Sequence, residues 1–176
     1  TELWKSDGTA NGTIMVKDIN SGSGYSSPSY FVIVGDTFYF VADDGLTGRE
    51  LWKSDGTANG TVMVKDINEG STGSSISQYT LVGNNLFFKA DDGINGTELW
   101  KSDGTANGTI MVKDINHGPL SSISYSGGSL TVLGNTLYFI ADDGTNGTEL
   151  WKSDGTASGT VMVKDINNGS LSGLCS

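Results

Sequence analysis

Acidic side chains carry most of the chemistry available to this 176-residue chain. Three runs, Asp43-Asp44-Gly45, Asp91-Asp92-Gly93 and Asp142-Asp143-Gly144, place two carboxylates before a glycine turn. Hard oxygen donors of that kind suit calcium, so these six aspartates are the candidate metal ligands and calcium the candidate cofactor. The spacing is not that of a DxDxDG loop, and adjacent side chains on a strand point to opposite faces, so solvated turns are the simpler reading. Paired carboxylates also serve glycosidases. Three copies speak for architecture instead, because an enzyme needs one site. A second set, Asp7, Asp55, Asp103 and Asp154, precedes glycine where a carboxylate accepts backbone N–H bonds and fixes a turn. The single histidine, His117, lies in a Gly/Pro/Ser connector, which excludes a histidine triad repeated along the chain. No catalytic residue is assigned.

Trp4, Trp52, Trp100 and Trp151 could form a row of stacking platforms for sugars. Core is the preferred reading, since neighbouring Leu and Met-Val residues recur with them. Six Asn-Gly-Thr/Ser sequons, at Asn11, Asn59, Asn95, Asn107, Asn146 and Asn168, are candidate N-glycosylation sites if the chain is secreted. Asn and Gly acting as turn formers explain the same residues. Lys-Asp pairs at 17–18, 65–66, 113–114 and 164–165 read as charges that blunt edge strands. Cys175 is the only cysteine, so no internal disulfide forms and the redox compartment stays open.

These residues recur because the chain is a repeat. Thr1 to Asn20 reads TELWKSDGTANGTIMVKDIN and returns, nearly unchanged, from Arg49, Thr97 and Thr148, at periods of 48, 48 and 51. Only three of its twenty columns vary. Looser segments, Tyr30 to Gly48, Tyr79 to Gly96 and Ser129 to Gly147, lie between the blocks. Each unit predicts four short strands. Two of them, Phe31 to Val34 and Thr37 to Ala42, flank Gly35-Asp36 as a two-residue hairpin, with Gly83-Asn84 and Gly134-Asn135 as counterparts. The third runs through Glu50 to Lys53 and the fourth through Thr61 to Lys65. Runs such as Phe38-Tyr39-Phe40-Val41 are apolar on both faces, so both faces of the sheet must be covered. Four strands and a period near 50 predict an all-β chain of antiparallel, four-stranded β-propeller-type blades in tandem. A solenoid β-helix, with much shorter rungs, ranks second.

Composition agrees. Glycine supplies 26 residues and charged residues only 17%, which excludes a helical bundle, while recurring apolar clusters exclude disorder. The net charge of −10 excludes nucleic acid as a partner. The charge is spread through the units, each block carrying −1 and each Asp-Asp pair −2. No apolar run is long enough to span a membrane, and no signal peptide opens the chain. A start at Thr1 reads as a processed or excised piece.

The motif Glu-Leu-Trp-Lys-Ser-Asp-Gly-Thr, at 2–9, 50–57, 98–105 and 149–156, resembles the ELWxxDGT repeat of long secreted, extracellular proteins. The resemblance implies a propeller-like protein of the cell surface or exterior and carries no catalytic residues. The turn also resembles the Asp-box hairpins of other propellers, except that the tryptophan here precedes it. The units divide as a half-blade at residues 1–20, blades with connectors at 21–68, 69–116 and 117–167, and a connector remnant at 168–176. About three and a half blades do not close a ring of the usual 4–8. The chain is then expected to be a window on a longer array, or to be completed by other copies of itself. The expected function is a non-enzymatic structural or adhesive module that self-assembles. The alternative is a glycan-binding propeller using the variable connectors Ser21 to Ser29, Glu69 to Gln78 and His117 to Gly128. A glycosidase is a distant third.

Overall fold

The computed structural model describes residues 1–124 and 129–174, so Cys175 and the end of the third connector lie outside the described residues. All regular structure among the described residues is β-strand, and none of it is a helix long and apolar enough to cross a membrane. The chain divides into two compact units, residues 1–76 and 77–176. The first holds a two-stranded sheet, β1 (Leu3–Lys5) and β2 (Ile14–Lys17), and a four-stranded sheet. The latter is ordered β3 (Ser29–Val34), β4 (Thr37–Asp43), β5 (Arg49–Ser54) and β6 (Val62–Lys65). The second unit holds two four-stranded sheets. One is β7 (Ser77–Val82), β8 (Asn85–Asp91), β9 (Thr97–Ser102) and β10 (Ile110–Lys113). The other is β11 (Thr131–Leu133), β12 (Thr136–Asp142), β13 (Thr148–Ser153) and β14 (Val161–Lys164). Every pairing is antiparallel between strands adjacent in sequence, giving meanders. The chain is therefore an all-β tandem of antiparallel sheets.

Local chemistry explains the pairing. Val34 pairs with Thr37 across Gly35, whose φ of +60° is the first position of a type II′ turn, the hairpin form that matches strand twist. The register then sets Phe40 opposite Trp52, Phe88 opposite Trp100 and Phe139 opposite Trp151. On the last strand of each sheet a bulge intervenes: Leu51 faces Lys65 and Trp52 faces Met63, leaving Val64 as the extra residue. The bulge lets the last strand send apolar side chains to both faces of the sheet.

Those faces stack. In the first unit Leu3, Val16 and Ile19 of the two-stranded sheet and its following turn pack on Phe40, Ala42 and Trp52 of the next. In the second, Leu99, Val112 and Ile115 pack in the same way on Phe139, Ala141 and Trp151. One sheet thus presents Leu, Val and Ile, and its successor presents Phe, Ala and Trp. Trp52, Trp100 and Trp151 are buried, as expected of core. Trp4 departs from that expectation, at 57% exposed. The stacking rule supplies the reason: a tryptophan is covered by the sheet before its own, and β1–β2 is the first sheet of the structure.

Trp52→Ala or Trp151→Ala removes a buried aromatic and should cost roughly 3–5 kcal/mol. Trp4→Ala in dilute solution should change stability by less than about 0.5 kcal/mol. Urea titration followed by far-UV circular dichroism measures both.

Candidate functional site

The Ser-Asp-Gly-Thr turn is a closed hydrogen-bond cassette. In the second repeat Asp55 Oδ1 accepts from the Thr57 amide at 2.9 Å and from its hydroxyl at 2.7 Å. Ser54 Oγ accepts from the Gly56 amide at 3.0 Å and lies 2.7 Å from Thr61 Oγ1, which donates to Thr57 O. Asp7, Asp103 and Asp154 repeat the arrangement with Thr9, Thr105 and Thr156. The Thr hydroxyl and then the Thr amide hold Asp7, Asp55 and Asp154 below the ordinary carboxyl value of 3.8. The sequon residues of this turn belong to the cassette. Asn11, Asn59 and Asn107 lie exposed at its tip, while Thr61 and Thr109, the hydroxyl residues of two of those sequons, are buried.

The Asp-Asp-Gly runs are turns of a second kind. Asp43, Asp91 and Asp142 each accept the amide two residues on, at 2.7 Å. Asp44 accepts the amides of Leu46 and Thr47 and the Thr47 hydroxyl. Asp92 and Asp143 accept two amides each, and also the side-chain amides of Asn95 and Asn146 at 2.8 Å. Burial raises Asp44, Asp92 and Asp143, but these donors outweigh it and hold all three below their ordinary value. Among the described residues no group of three or more His, Cys, Asp or Glu is gathered for a metal ion. The sequon nitrogens of Asn95 and Asn146 are occupied as turn donors. Asn168 is exposed in the last connector.

The residue that organises each repeat is its glutamate, which sequence reading counted only as charge. Glu50 is fully buried, yet its carboxylate accepts the Ile67 amide at 3.1 Å, the Ser74 amide at 2.9 Å and the Ser74 hydroxyl at 2.7 Å. Glu98 holds Ile115 and Ser122, and Glu149 holds Ile166 and Gly173, at the same offsets. Each carboxylate thus ties the connector leaving its sheet back to the strand that carries it. Ser74 N also donates to Arg49 O, so the connector joins that strand's backbone too. The signal was present in the sequence: Ser26, Ser74 and Ser122 sit at one offset, 24 residues after Glu2, Glu50 and Glu98, inside the connectors that otherwise vary most.

Burial decides how these carboxyls titrate. Burial pushes Glu50 and Glu98 up to about 7, against the pull of the Ser and backbone donors. Burial also raises Glu2, but the Ser26 hydroxyl and the Ile19, Ser26 and Asn20 amides outweigh it and leave that carboxyl below its ordinary 4.5. The donors are nearly the same. The difference is cover, because Glu2 lies on the same bare face as Trp4.

Lysines fasten one sheet to the next. Lys5 Nζ donates to Gly56 O at 2.9 Å and Lys17 Nζ to Thr61 O at 2.7 Å. In the second unit Lys101 donates to Gly155 O at 2.7 Å and Lys113 to Thr160 O at 2.9 Å. Lys113 also lies over the Trp151 ring, 5.5 Å from its centroid. This corrects the edge-charge reading of the Lys-Asp pairs: Lys17 and Lys113 stand on last strands, but they bond to the neighbouring sheet. Lys89 breaks the repeat, standing where Val41 and Ile140 stand in the other sheets; it is fully buried, donates to Ser124 O at 3.1 Å, and burial lowers it to about 8.

The bare face of the first sheet bounds an open depression of about 590 Å3 lined by Glu2, Trp4, Met15, Asp18, Gly24 and Tyr25. Trp4 and Tyr25 are its exposed aromatics. His117 is exposed on its connector, 3.3 Å from the Asp114 carboxylate.

No family model and no curated protein matches the chain. Among solved structures, it is similar to a puromycin hydrolase, crystallised as a mutant complexed with PGG, with TM-score 0.51 and 15% identity over 78% of this chain and 21% of that one. A computationally designed protein aligns with TM-score 0.44 and 13% identity over 91% of this chain and 42% of that one. The first likeness concerns the fold alone, and the chain spans about a fifth of the hydrolase's length.

The glutamates and aspartates set opposite pH limits. A carboxyl raised in the fold from 4.5 to about 7 contributes stability that is complete below pH 4.5 and lost as pH rises through about 7. The turn aspartates, held below 3.8, contribute stability that is complete above that pH and lost as it falls. The melting temperature should therefore peak between about pH 4.5 and 6 and decline toward pH 8, with on the order of 2–3 kcal/mol lost per buried glutamate. Glu50→Gln with Glu98→Gln should abolish the decline above pH 6 in a thermal-melt series.

Proposed function

We propose that the chain is a non-enzymatic, extracellular structural or adhesive module whose sheets are propeller-type blades that self-assemble with other copies of the chain. The observation that carries this reading is that the recurring polar residues of the block are engaged in scaffold work. The glutamate holds the connector, Ser-Asp-Thr closes the turn, and the lysines bond the next sheet. Glu50 and Glu98, at about 7, have the titration of a general acid, but both are sealed from solvent and saturated by backbone donors, so no substrate reaches them. The ELWxxDGT resemblance and the absence of a basic surface agree with an exterior setting.

A glycan-binding reading has one observation in its favour: Trp4 and Tyr25 are exposed around a depression that also carries Glu2 and Asp18. Aromatic faces beside carboxylates are suited to sugar rings. A glycan array with no hits, on protein that still assembles, would remove it.

Self-assembly is checked by light scattering coupled to size-exclusion chromatography, with negative-stain images at each concentration. The expected result is a mass that rises above that of one chain as concentration increases. A single-chain mass throughout would overturn the proposal.

A further inference from the structure

The sheet-to-sheet interface has two unlike halves, and the chain leaves one of each bare. The half that looks backward, toward the preceding sheet, is centred on tryptophan. Trp52, Trp100 and Trp151 are 6%, 5% and 5% exposed, against 57% for Trp4. The half that looks forward is made of the bulged valine and the isoleucine after the last strand. Val16, Val64 and Val112 are 7%, 6% and 5% exposed, against 47% for Val163. Ile19, Ile67 and Ile115 are likewise buried, whereas Ile166 is 51% exposed. Lys152 and Lys164, the counterparts of Lys5 and Lys17, are exposed and donate no hydrogen bond among the described residues.

We infer that one copy of the chain docks head to tail on another, the sheet β11–β14 of the first stacking on the bare face of β1–β2 of the second. The inference rests on the self-assembly reading and specifies its contact. The template is internal and occurs in both units. Lysines at the fifth and seventeenth positions of one block donate to the carbonyls of Gly and Thr at the eighth and thirteenth positions of the next, Lys5 to Gly56 and Lys17 to Thr61, Lys101 to Gly155 and Lys113 to Thr160. Between copies the same rule pairs Lys152 with Gly8 O and Lys164 with Thr13 O. Val163 and Ile166 then cover Trp4 as Val16 and Ile19 cover Trp52. Charge supports the pairing, because Lys5 lowers Asp55 and Lys101 lowers Asp154, which sets Lys152 against Asp7. Such an interface joins unlike surfaces, so each copy keeps a free head and a free tail, and assembly runs on to a ring or a filament.

Two variants, each altering exposed residues of one end, test this: Trp4→Asp for the head and Lys152→Glu with Lys164→Glu for the tail. Unchanged urea midpoints in dilute solution establish that both fold; Trp4→Ala and Lys152→Ala with Lys164→Ala replace them if either does not. By sedimentation velocity each variant alone should associate at least about tenfold more weakly than the parent chain. Mixed, they should form a dimer and stop there, because the mixture holds one intact head and one intact tail. Variants that assemble like the parent chain would overturn the head-to-tail contact and leave self-assembly standing. A parent chain that stays single at every concentration would overturn both.

Discussion

A β-sheet that is apolar on both faces has no finished form of its own, because whichever face is left bare holds hydrocarbon in water. Every sheet here is of that kind. Consecutive apolar residues on the inner strands, with a bulge on the last strand, give each repeat a Trp-Phe-Ala face and a Leu-Val-Ile face that fit each other. Self-complementarity between opposite faces is what makes the repeat an array element. It also explains why the exposed apolar residues gather at the two ends, at Trp4 and Met15 on one side and Val163 and Ile166 on the other.

Apolar stacking alone would leave orientation and spacing loose. Direction comes from buried polar groups that are satisfied only in one arrangement. The glutamate carboxylate needs two backbone amides, in most repeats with a hydroxyl, from one connector, and the lysine ammonium needs a carbonyl at one place on the next turn. Burying a carboxylate is costly, and the raised titration of Glu50 and Glu98 measures that cost. In return the connector has a single path. The exposed Glu2, with nearly the same donors, shows that the strain comes from cover rather than from the hydrogen bonds.

Strands, hairpins and repeat boundaries were legible because they are local: Gly35-Asp36 dictates a hairpin, and alternation or its absence reports cover. The turn role of Asp55 and its equivalents was legible for the same reason, since the acceptor and its donors are two residues apart. The glutamate clamp was not, because its partners lie 17 and 24 residues away and nothing about an isolated Glu announces burial. The lysines were misread as edge charges because their acceptors are backbone carbonyls, which carry no sequence signature, 44 to 54 residues on. Trp4 was misread because identical sequence was taken to mean identical surroundings; the side chain is the same, and the sheet that buries it in later repeats has no counterpart before β1.

Hydrogen exchange resolved by residue tests most directly whether a sheet needs neighbours on both faces. In dilute solution the amides of β1–β2 should exchange far faster than those of β4–β5, and raising the protein concentration should slow β1–β2 and β13–β14 together. Amides of β1–β2 protected as well as those of β4–β5 in dilute solution would show that one covered face is enough, and would contradict the account.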